Sequence, residues 1–304
     1  MKSLVYLVFF IFFSFFIFNL VNFLLLSKKI EFIREDSKII FKLEKNNLEP
    51  ILVLGKMGKN YQGGENTDSI FVVYIRNKTT NIIHIPRDLI IDINGSFYKI
   101  NSLYSLKKTD VLLSEVSKLT GLKIKKYFVF DIYFIKKIVD SLGGLEVDLK
   151  YPVTDAVSGY TLMPGKKKFN GEWIEFIIRS RFYPQGDFDR MKNQFIIINS
   201  LKERLSNISP TELLNLINLT FQLKNHFETN LNYSEISKLV NRIKKTKFKE
   251  ILIDFNSNLW ISNYYEIKIN DQSFFGVYGL EPKDGIGKYD KIREKIQKEI
   301  TQEP

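Results

Sequence analysis

No cysteine occurs in the 304 residues, which removes disulfides, zinc-thiolate centres and thiol nucleophiles together and leaves the compartment open. Histidine is scarce. His84 and His226 are the only two; the first alternates with apolar neighbours as a sheet residue would, and the second sits in a polar loop, so neither reads as a general base. No serine stands in a nucleophile elbow, which argues against a Ser-His-Asp hydrolase. The pairs Gly63-Gly64 and Gly143-Gly144 lack the spacing of dinucleotide or phosphate-loop motifs and read as turns. Internal repeats and recognisable DNA-binding motifs are missing too. Most phenylalanines fall in apolar runs, where core packing accounts for them better than base stacking does.

What is present is a basic chain with a real core. The formal net charge is +11 and apolar residues make up 44%, enough for one large domain or two small ones. Such a charge suits nucleic acid, an anionic membrane surface or a phosphorylated polymer, without choosing among them. Residues 4–26 form an apolar run rich in Phe, interrupted only by Ser14, Asn19 and Asn22, and a bilayer span takes about 20 residues. The run ends in Leu24-Leu25-Leu26-Ser27-Lys28-Lys29 rather than in small residues, so residues 1–27 read as an uncleaved transmembrane signal anchor and 28–49 as a linker. Lys2 precedes the span while Lys28, Lys29, Arg34 and Lys38 follow it; counted alone, these charges put the C-terminal side in the cytoplasm.

Beyond Pro50 the pattern alternates strands with helices. Residues 51–55, 69–76 and 81–85 are apolar, β-branched and aromatic, and 89–93 and 96–100, split by Asn94-Gly95, read as a hairpin with a type I′ turn. A helix capped by Thr109 or Asp110 runs to Leu119 and stops at Gly121. Strand 127–132, helix 134–142 and strand 145–149 follow, then a long surface loop over 151–170 containing Lys166, Lys167 and Lys168. Asn170 is placed to cap one helix and Asp187 a second that continues to about Ser206; helices near 210–221 and 234–244 precede a strand over 248–255 and a tail of weak pattern ending in a charged helix. Alternation of this kind implies an α/β sheet covered on both faces.

The chemistry concentrates between residues 175 and 194, where Arg179, Arg181 and Arg190 surround a Pro-Gln-Gly turn in a chain whose basic surplus is mostly lysine. Planar forked donors suit paired phosphate oxygens. Asp187, Arg190 and Gln194 lie at helical spacing on one face. Spacing alone leaves two readings open: an anion site, or a solvated helix-turn-helix neutralised by Glu175, Asp187 and Asp189. Ile85-Pro86-Arg87-Asp88 adds Arg87 at a strand end, where α/β sheets put their ligands, or else an Arg-Asp pair that fixes a turn. Asp68 is a possible oxygen ligand for a hard cation, or a turn residue.

Thr67-Asp68-Ser69-Ile70, Ile85-Pro86-Arg87-Asp88, Lys99-Ile100-Asn101, the run from Val139 to Val147, Leu162-Met163-Pro164-Gly165, Arg179-Ser180-Arg181, Gly186-Asp187-Phe188-Asp189-Arg190 and Gln194 resemble, in order and spacing, the LytR-CpsA-Psr family of membrane-anchored, extracytoplasmic proteins. The match covers roughly residues 50–255, leaving 256–304 as a tail that packs on or extends the domain. The resemblance implies a three-layer α-β-α sandwich around a central mixed sheet, preceded by one transmembrane helix. It implies a pocket that binds a polyprenyl pyrophosphate and transfers the attached glycopolymer to peptidoglycan, usually with Mg2+. Carried over by position, Arg87, Arg179, Arg181, Arg190 and Gln194 grip the pyrophosphate, Lys99 joins them as a substrate contact, and Asp68 holds the metal. The lipid bilayer is then a partner and nucleic acid is not. The domain is expected outside the cytoplasm, against the flanking charges. Two departures stand out: Met57 occupies a position where the family usually has an aspartate, and Asn66 one where it commonly has an arginine. Either the metal is held more weakly than is usual in the family, or Glu65 or Asp88 is the replacement carboxylate. A non-catalytic pocket for lipid-linked or phosphorylated polymer is the alternative function, and a transcriptional attenuator a further one.

Overall fold

The computed structural model describes residues 48–59, 61, 63–155, 158–180, 185–270 and 272–302. The anchor at 1–27, almost all of the 28–49 linker and Arg181 lie outside the described residues. Those that are described fall in one compact unit, Asn47–Pro304. Among them, no helix is long and apolar enough to cross a membrane.

In chain order the elements are β1 (Ile51–Lys56), β2 (Thr67–Arg76), β3 (Thr79–His84), β4 (Ile90–Ile93), β5 (Ser96–Lys99), α1 (Thr109–Thr120), β6 (Lys126–Asp131), α2 (Ile132–Ser141), β7 (Leu145–Leu149), β8 (Val153–Thr154), β9 (Thr161–Leu162), β10 (Gly165–Phe169), α3 (Gly171–Arg179), α4 (Asp187–Ser206), α5 (Pro210–Gln222), β11 (Phe227–Thr229), α6 (Tyr233–Ile243), β12 (Lys247–Ile251), β13 (Trp260–Ile269), β14 (Gln272–Pro282) and α7 (Asp290–Thr301). Six strands make the central sheet in the order β11-β6-β1-β2-β3-β12. It is mixed: β1 runs parallel to β6 and β3 to β12, while β2 is antiparallel to both its neighbours and β11 to β6.

Register decides which side chains share a face. Leu54 pairs with Ile70 and Val129, and Leu52 with Val72, which pairs in turn with Ile83. All of these are buried in one cluster with Leu112, Val116 and Leu119 of α1 and Ile292, Ile296 and Ile300 of α7. The opposite face carries Gly55, Ser69, Phe71 and Phe130, and side chains of α2, α3 and α4 close over it. Helices therefore flank the sheet on both sides, because alternate residues of its strands are apolar toward each. The stretch from 256 onward is part of this core: Trp260, Leu280 and Tyr289 belong to the same buried cluster.

Several local expectations need correction. The 151–170 stretch is not a plain loop; β8 pairs with β9, and β10 pairs antiparallel with β7, so Lys166, Lys167 and Lys168 lie on a strand. Three successive exposed lysines conceal the alternation that would have announced it. Neither Thr109 nor Asp110 caps α1, whose N-cap is Lys108 without a side-chain bond. Gly121 does close it in the left-handed region at φ 72°, and Asn94 and Gly95 turn the β4–β5 hairpin with φ of 54° and 79°. The 248–255 strand ends at Ile251. Asp187 is the first residue of α4 rather than its cap; the cap is Gly186, at φ 55° and ψ −111°, a conformation that only glycine adopts readily.

Candidate functional site

The parallel strands β1, β3 and β6 end at the same edge of the sheet where antiparallel β2 begins, and the chain opens there into a cavity of about 670 Å³. Strand carboxyl ends are where α/β sheets leave such a crevice. One end of the cavity is polar and lined by Asp68, Arg87, Arg179, Arg190 and Gln194. The other is apolar, with Ile135 and Val139 from α2 and Ile197, Ile198 and Leu201 from α4. Met57 also lines it.

The polar end is built around Asp187. Its carboxylate oxygen lies 3.2 Å from Arg87 Nε and 2.7 Å from Arg190 Nη2, clasping two guanidinium groups from segments a hundred residues apart. Arg190 is only 2% exposed and also donates from Nη2 to the backbone carbonyl of Asp68 at 2.6 Å. Arg87 pairs in addition with the Asp68 carboxylate and stands 3.7 Å from that of Asp88. Burial opposes the charge on Arg87, yet Asp187, Asp88 and Asp68 together outweigh it and raise its pKa. Gln194 is buried, lines the cavity, and its Nε2 has no hydrogen-bond partner among the described residues. A buried donor of that kind is available to an acceptor that enters the cavity, water or ligand.

Arg179 belongs to a second constellation at the rim. Glu175, one helical turn back, accepts from Arg179 Nη1 at 3.0 Å, from the Tyr61 hydroxyl at 3.0 Å and from Lys136 Nζ at 2.7 Å. The Arg179 guanidinium also lies over the Tyr61 ring at 5.3 Å. Burial would raise the Glu175 pKa, but these donors prevail and lower it.

The sequence-predicted residues are thus mostly brought together: Asp68, Arg87, Arg179, Arg190 and Gln194 share one cavity. Arg181 lies outside the described residues. Lys99 does not join the lining; it pairs with the Asp88 carboxylate behind Arg87. Glu65 pairs with Lys56 at 2.7 Å and Asp88 is held by Lys99 and Arg87, so neither proposed replacement carboxylate reaches the cavity lining. Among the described residues, no three His, Cys, Asp or Glu gather as a metal cage. His84 is a buried strand residue 3.4 Å from Glu250. His226 is not simply in a polar loop: it bonds Asp131 at 2.7 Å and its ring lies 4.5 Å from that of Tyr133.

Sequence reasoning named Glu175 only as a local neutraliser of the arginines, missed Tyr61 and Lys136, and misread Asp187 as a cap. The i,i+4 pair Glu175–Arg179 and the i,i+3 pair Asp187–Arg190 were visible in spacing. Tyr61 and Lys136 carry no local signal, since they meet Glu175 only through the fold.

The LytR_cpsA_psr family model matches residues 23–277 of this chain. Polyisoprenyl-teichoic acid–peptidoglycan teichoic acid transferase TagU of Enterococcus faecalis (strain ATCC 700802 / V583) is 26% identical over 203 residues, covering 64% of this chain and 66% of that protein. Regulatory protein MsrR of Staphylococcus aureus (strain COL) is 32% identical over 163 residues, covering 52% of this chain and 49% of that one. The chain thus spans about half to two thirds of the length of these curated relatives. The solved structure of TagT bound to LIIa-WTA matches with a TM-score of 0.63 at 16% identity, over 89% of this chain and 96% of that one. That is a likeness of fold.

Proposed function

The chain belongs to the LytR_cpsA_psr family, and from that premise we propose that it is a cell-envelope phosphotransferase, moving a glycopolymer from a polyprenyl-pyrophosphate carrier to peptidoglycan. The observation that carries this reading is one cavity joining Arg87, Arg179, Arg190 and Gln194, whose Nε2 has no partner among the described residues, to an apolar wall from α2 and α4. A pyrophosphate with a hydrocarbon tail is the ligand class with matching halves. The relative named as a teichoic acid transferase supports the reaction type.

In the proposed reaction an acceptor hydroxyl attacks the phosphorus that bears the glycopolymer. A new phosphoester bond forms, the phosphoanhydride bond breaks, polyprenyl phosphate leaves, and the acceptor hydroxyl's proton passes to the departing phosphate or to solvent. Such transfers depend on positioning and on neutralising charge at the non-bridging oxygens, so guanidinium groups suffice as the protein's contribution. Arg190, fixed by Asp187 and by the Asp68 carbonyl, is held ready without reorganisation. The apolar wall would keep water from competing with the acceptor.

Magnesium fits this donor set in a limited way. It commonly binds through one or two carboxylates together with substrate phosphates, and Asp68 is a cavity-lining carboxylate. Asp68 and the pyrophosphate would hold the ion, which would supply further charge neutralisation. On this reading residues 1–27 anchor the chain in the cell membrane and the domain works outside the cytoplasm; a reporter fused after Pro304 that signals from the cytoplasm would end it.

A second reading has one observation in its favour. Met57 lines the cavity where the resemblance expects a second carboxylate, so the pocket could bind its polymer without turnover, as befits a relative named as a regulatory protein. The full-length chain in detergent, given polyprenyl-pyrophosphate-linked glycopolymer, Mg2+ and peptidoglycan, separates the two. Transfer that falls about 10²-fold or more in Arg87→Ala supports catalysis; carrier binding without any transfer by the wild type supports the binding module.

A further inference from the structure

The edge of the sheet opposite the arginine cavity has a chemistry of its own. Strands β1, β3, β6 and β12 all begin there: Ile51 pairs with Lys126, Thr79 pairs with Lys247, and the β2–β3 turn closes the same edge where Arg76 meets Thr79. Arg76, Lys78, Lys245 and Lys247 line a recess of about 540 Å³ at this edge, together with Ile300, Thr301 and Gln302 at the end of α7. No carboxylate is among its lining residues. The neighbouring Lys126 and Lys249 are paired, with Glu235 and Glu299, whereas the four cations of the recess have no acidic partner among the described residues. An anion placed among them would relieve their mutual repulsion.

Helix α6 leads straight into this recess. A capping box between Asn232 and Glu235 fixes its start, and Glu235 reaches Lys126 at 2.7 Å where β6 begins. Its C-cap is Lys244, next to Lys245 of the recess, so the helix crosses the edge from β6 toward β12. None of its 11 residues is buried. Tyr233, Ile236 and Val240, at helical spacing on one face, are 85%, 37% and 44% exposed. Such a helix is too short to span a bilayer and has the composition of one that lies on it. The chain also enters the domain at this edge, since β1 starts at Ile51 and the apolar run of residues 4–26 lies upstream. The apolar wall of the arginine cavity points the same way: α4 starts at the arginine site with Asp187 and Arg190, and farther along it Lys202 Nζ stands 5.7 Å from the ring of Phe248, the second residue of β12.

We propose that this edge, the four-cation recess together with the exposed face of α6, is a docking surface for an anionic lipid bilayer, with lipid phosphates in the recess. Charge and apolar surface argue for that occupant jointly. A soluble phosphate polymer would use the cations and leave Tyr233, Ile236 and Val240 in water, whereas a lipid surface takes both. Asp68 at the arginine site and Arg76 at the recess stand at the two ends of β2, about 25 Å apart. Docking here would therefore turn the arginine mouth away from the lipid, with the apolar wall of α4 between them. The inference rests on the membrane location proposed for this chain and not on transfer.

The test exploits the absence of cysteine. Val240→Cys, Lys59→Cys and Asn263→Cys each give the full-length chain a single fluorophore, on α6, beyond the end of β1 at the arginine edge, and on β13. Each labelled chain is reconstituted into vesicles of phosphatidylcholine, with or without phosphatidylglycerol, whose brominated acyl chains quench. The label at 240 should be quenched when phosphatidylglycerol is present and released by high salt, while labels at 59 and 263 stay bright. Lys78→Glu combined with Lys245→Glu should lower the ratio of docked to undocked chain at least about tenfold, each cation at an anionic surface being worth about fivefold. Ile236→Gln should lower it too, and unchanged binding of inorganic pyrophosphate at the arginine site shows that these variants fold. Quenching at 240 that is absent, indifferent to phosphatidylglycerol or unmoved by the substitutions overturns the proposal, as does quenching at 59 or 263 in its place. A label at 240 that answers to soluble poly(glycerol phosphate) and not to lipid assigns the recess to a polymer and overturns it as well. A chain that does not float with the vesicles ends the membrane location and this proposal together; one that floats with its label at 240 unquenched ends the proposal alone.

Discussion

Asp187→Asn is the most informative single change, because it removes one charge from the middle of the cluster while keeping the shape. The carboxylate lies 3.2 Å from Arg87 Nε and 2.7 Å from Arg190 Nη2, and its side chain is 16% exposed against 2% for Arg190. Breaking a buried ion pair by deleting one partner costs about 3–5 kcal/mol. The lower end applies, since Arg87 keeps Asp68 and Asp88 and Arg190 keeps the Asp68 carbonyl. For a domain of this size about 3 kcal/mol corresponds to a fall in Tm of roughly 6–12 °C. An anion in the cavity should supply the missing charge, so the deficit relative to wild type should shrink as inorganic pyrophosphate is added, by mass action on the folded state. Thermal melts of both proteins across a pyrophosphate series measure this. If the variant melts within about 2 °C of wild type, or if its deficit ignores pyrophosphate, Asp187 is not the counter-charge that assembles the site.

Two further changes probe the rim and the scaffold. Glu175→Gln removes the charge shared by Lys136, Arg179 and Tyr61 and should cost about 2 kcal/mol at pH 7. Because the folded-state pKa is lowered from 4.5, the gap should be complete above that value and close as pH falls through the folded one; urea melts that show the same gap at low pH would contradict the assignment. Gly171→Ala, a change worth up to about 1 kcal/mol of gain in an open helix, should instead destabilise. Its Cβ would lie 2.6 Å from the Lys136 carbonyl oxygen and 2.8 Å from Lys136 Cα. A variant that melts higher than wild type would show that α2 and α3 have slack.

The sheet was legible where strands alternate around a two-sided core. Runs of β-branched and aromatic residues at 51–55, 69–76, 81–85 and 127–132 read as strands, and 89–100 as a hairpin from Asn94-Gly95, each within one or two residues of the observed strand ends. β13 and β14 were illegible for the opposite reason: much of the hairpin is exposed, so Tyr264, Phe274 and Phe275 break the alternation that burial would impose. The arginines were legible as chemistry, because guanidinium in a lysine-rich chain is informative without coordinates. Their partners were not. Arg87 and Asp187 meet only because the loop after β3 and the start of α4 arrive at one point, a fact no local spacing encodes.

On the transferase reading proposed above, the charge count at the site would let grip and release coexist. Arg87, Arg190 and Lys99 face Asp68, Asp88 and Asp187, three cations against three carboxylates. A neutral cluster of this kind can be assembled in a partly buried place, where a bare group of cations would repel and pay a heavy desolvation penalty. On the same reading, an incoming pyrophosphate would exchange with a carboxylate rather than fill a vacant positive well. Of the three, only Asp68 lines the cavity, so on the proposed reading Asp68 would be the group that such an anion displaces from Arg87. Asp187 and Asp88 stay behind the guanidinium groups and keep them aimed. On that reading the arrangement would divide the labour: Arg190, held by Asp187 and the Asp68 carbonyl, would be the fixed floor, and Arg87 the contact that changes hands. A cation at Asp68 would favour that exchange by drawing the carboxylate away from Arg87, which would tie the usefulness of a metal here to the carboxylate that is present rather than to the one the resemblance leads us to expect at Met57.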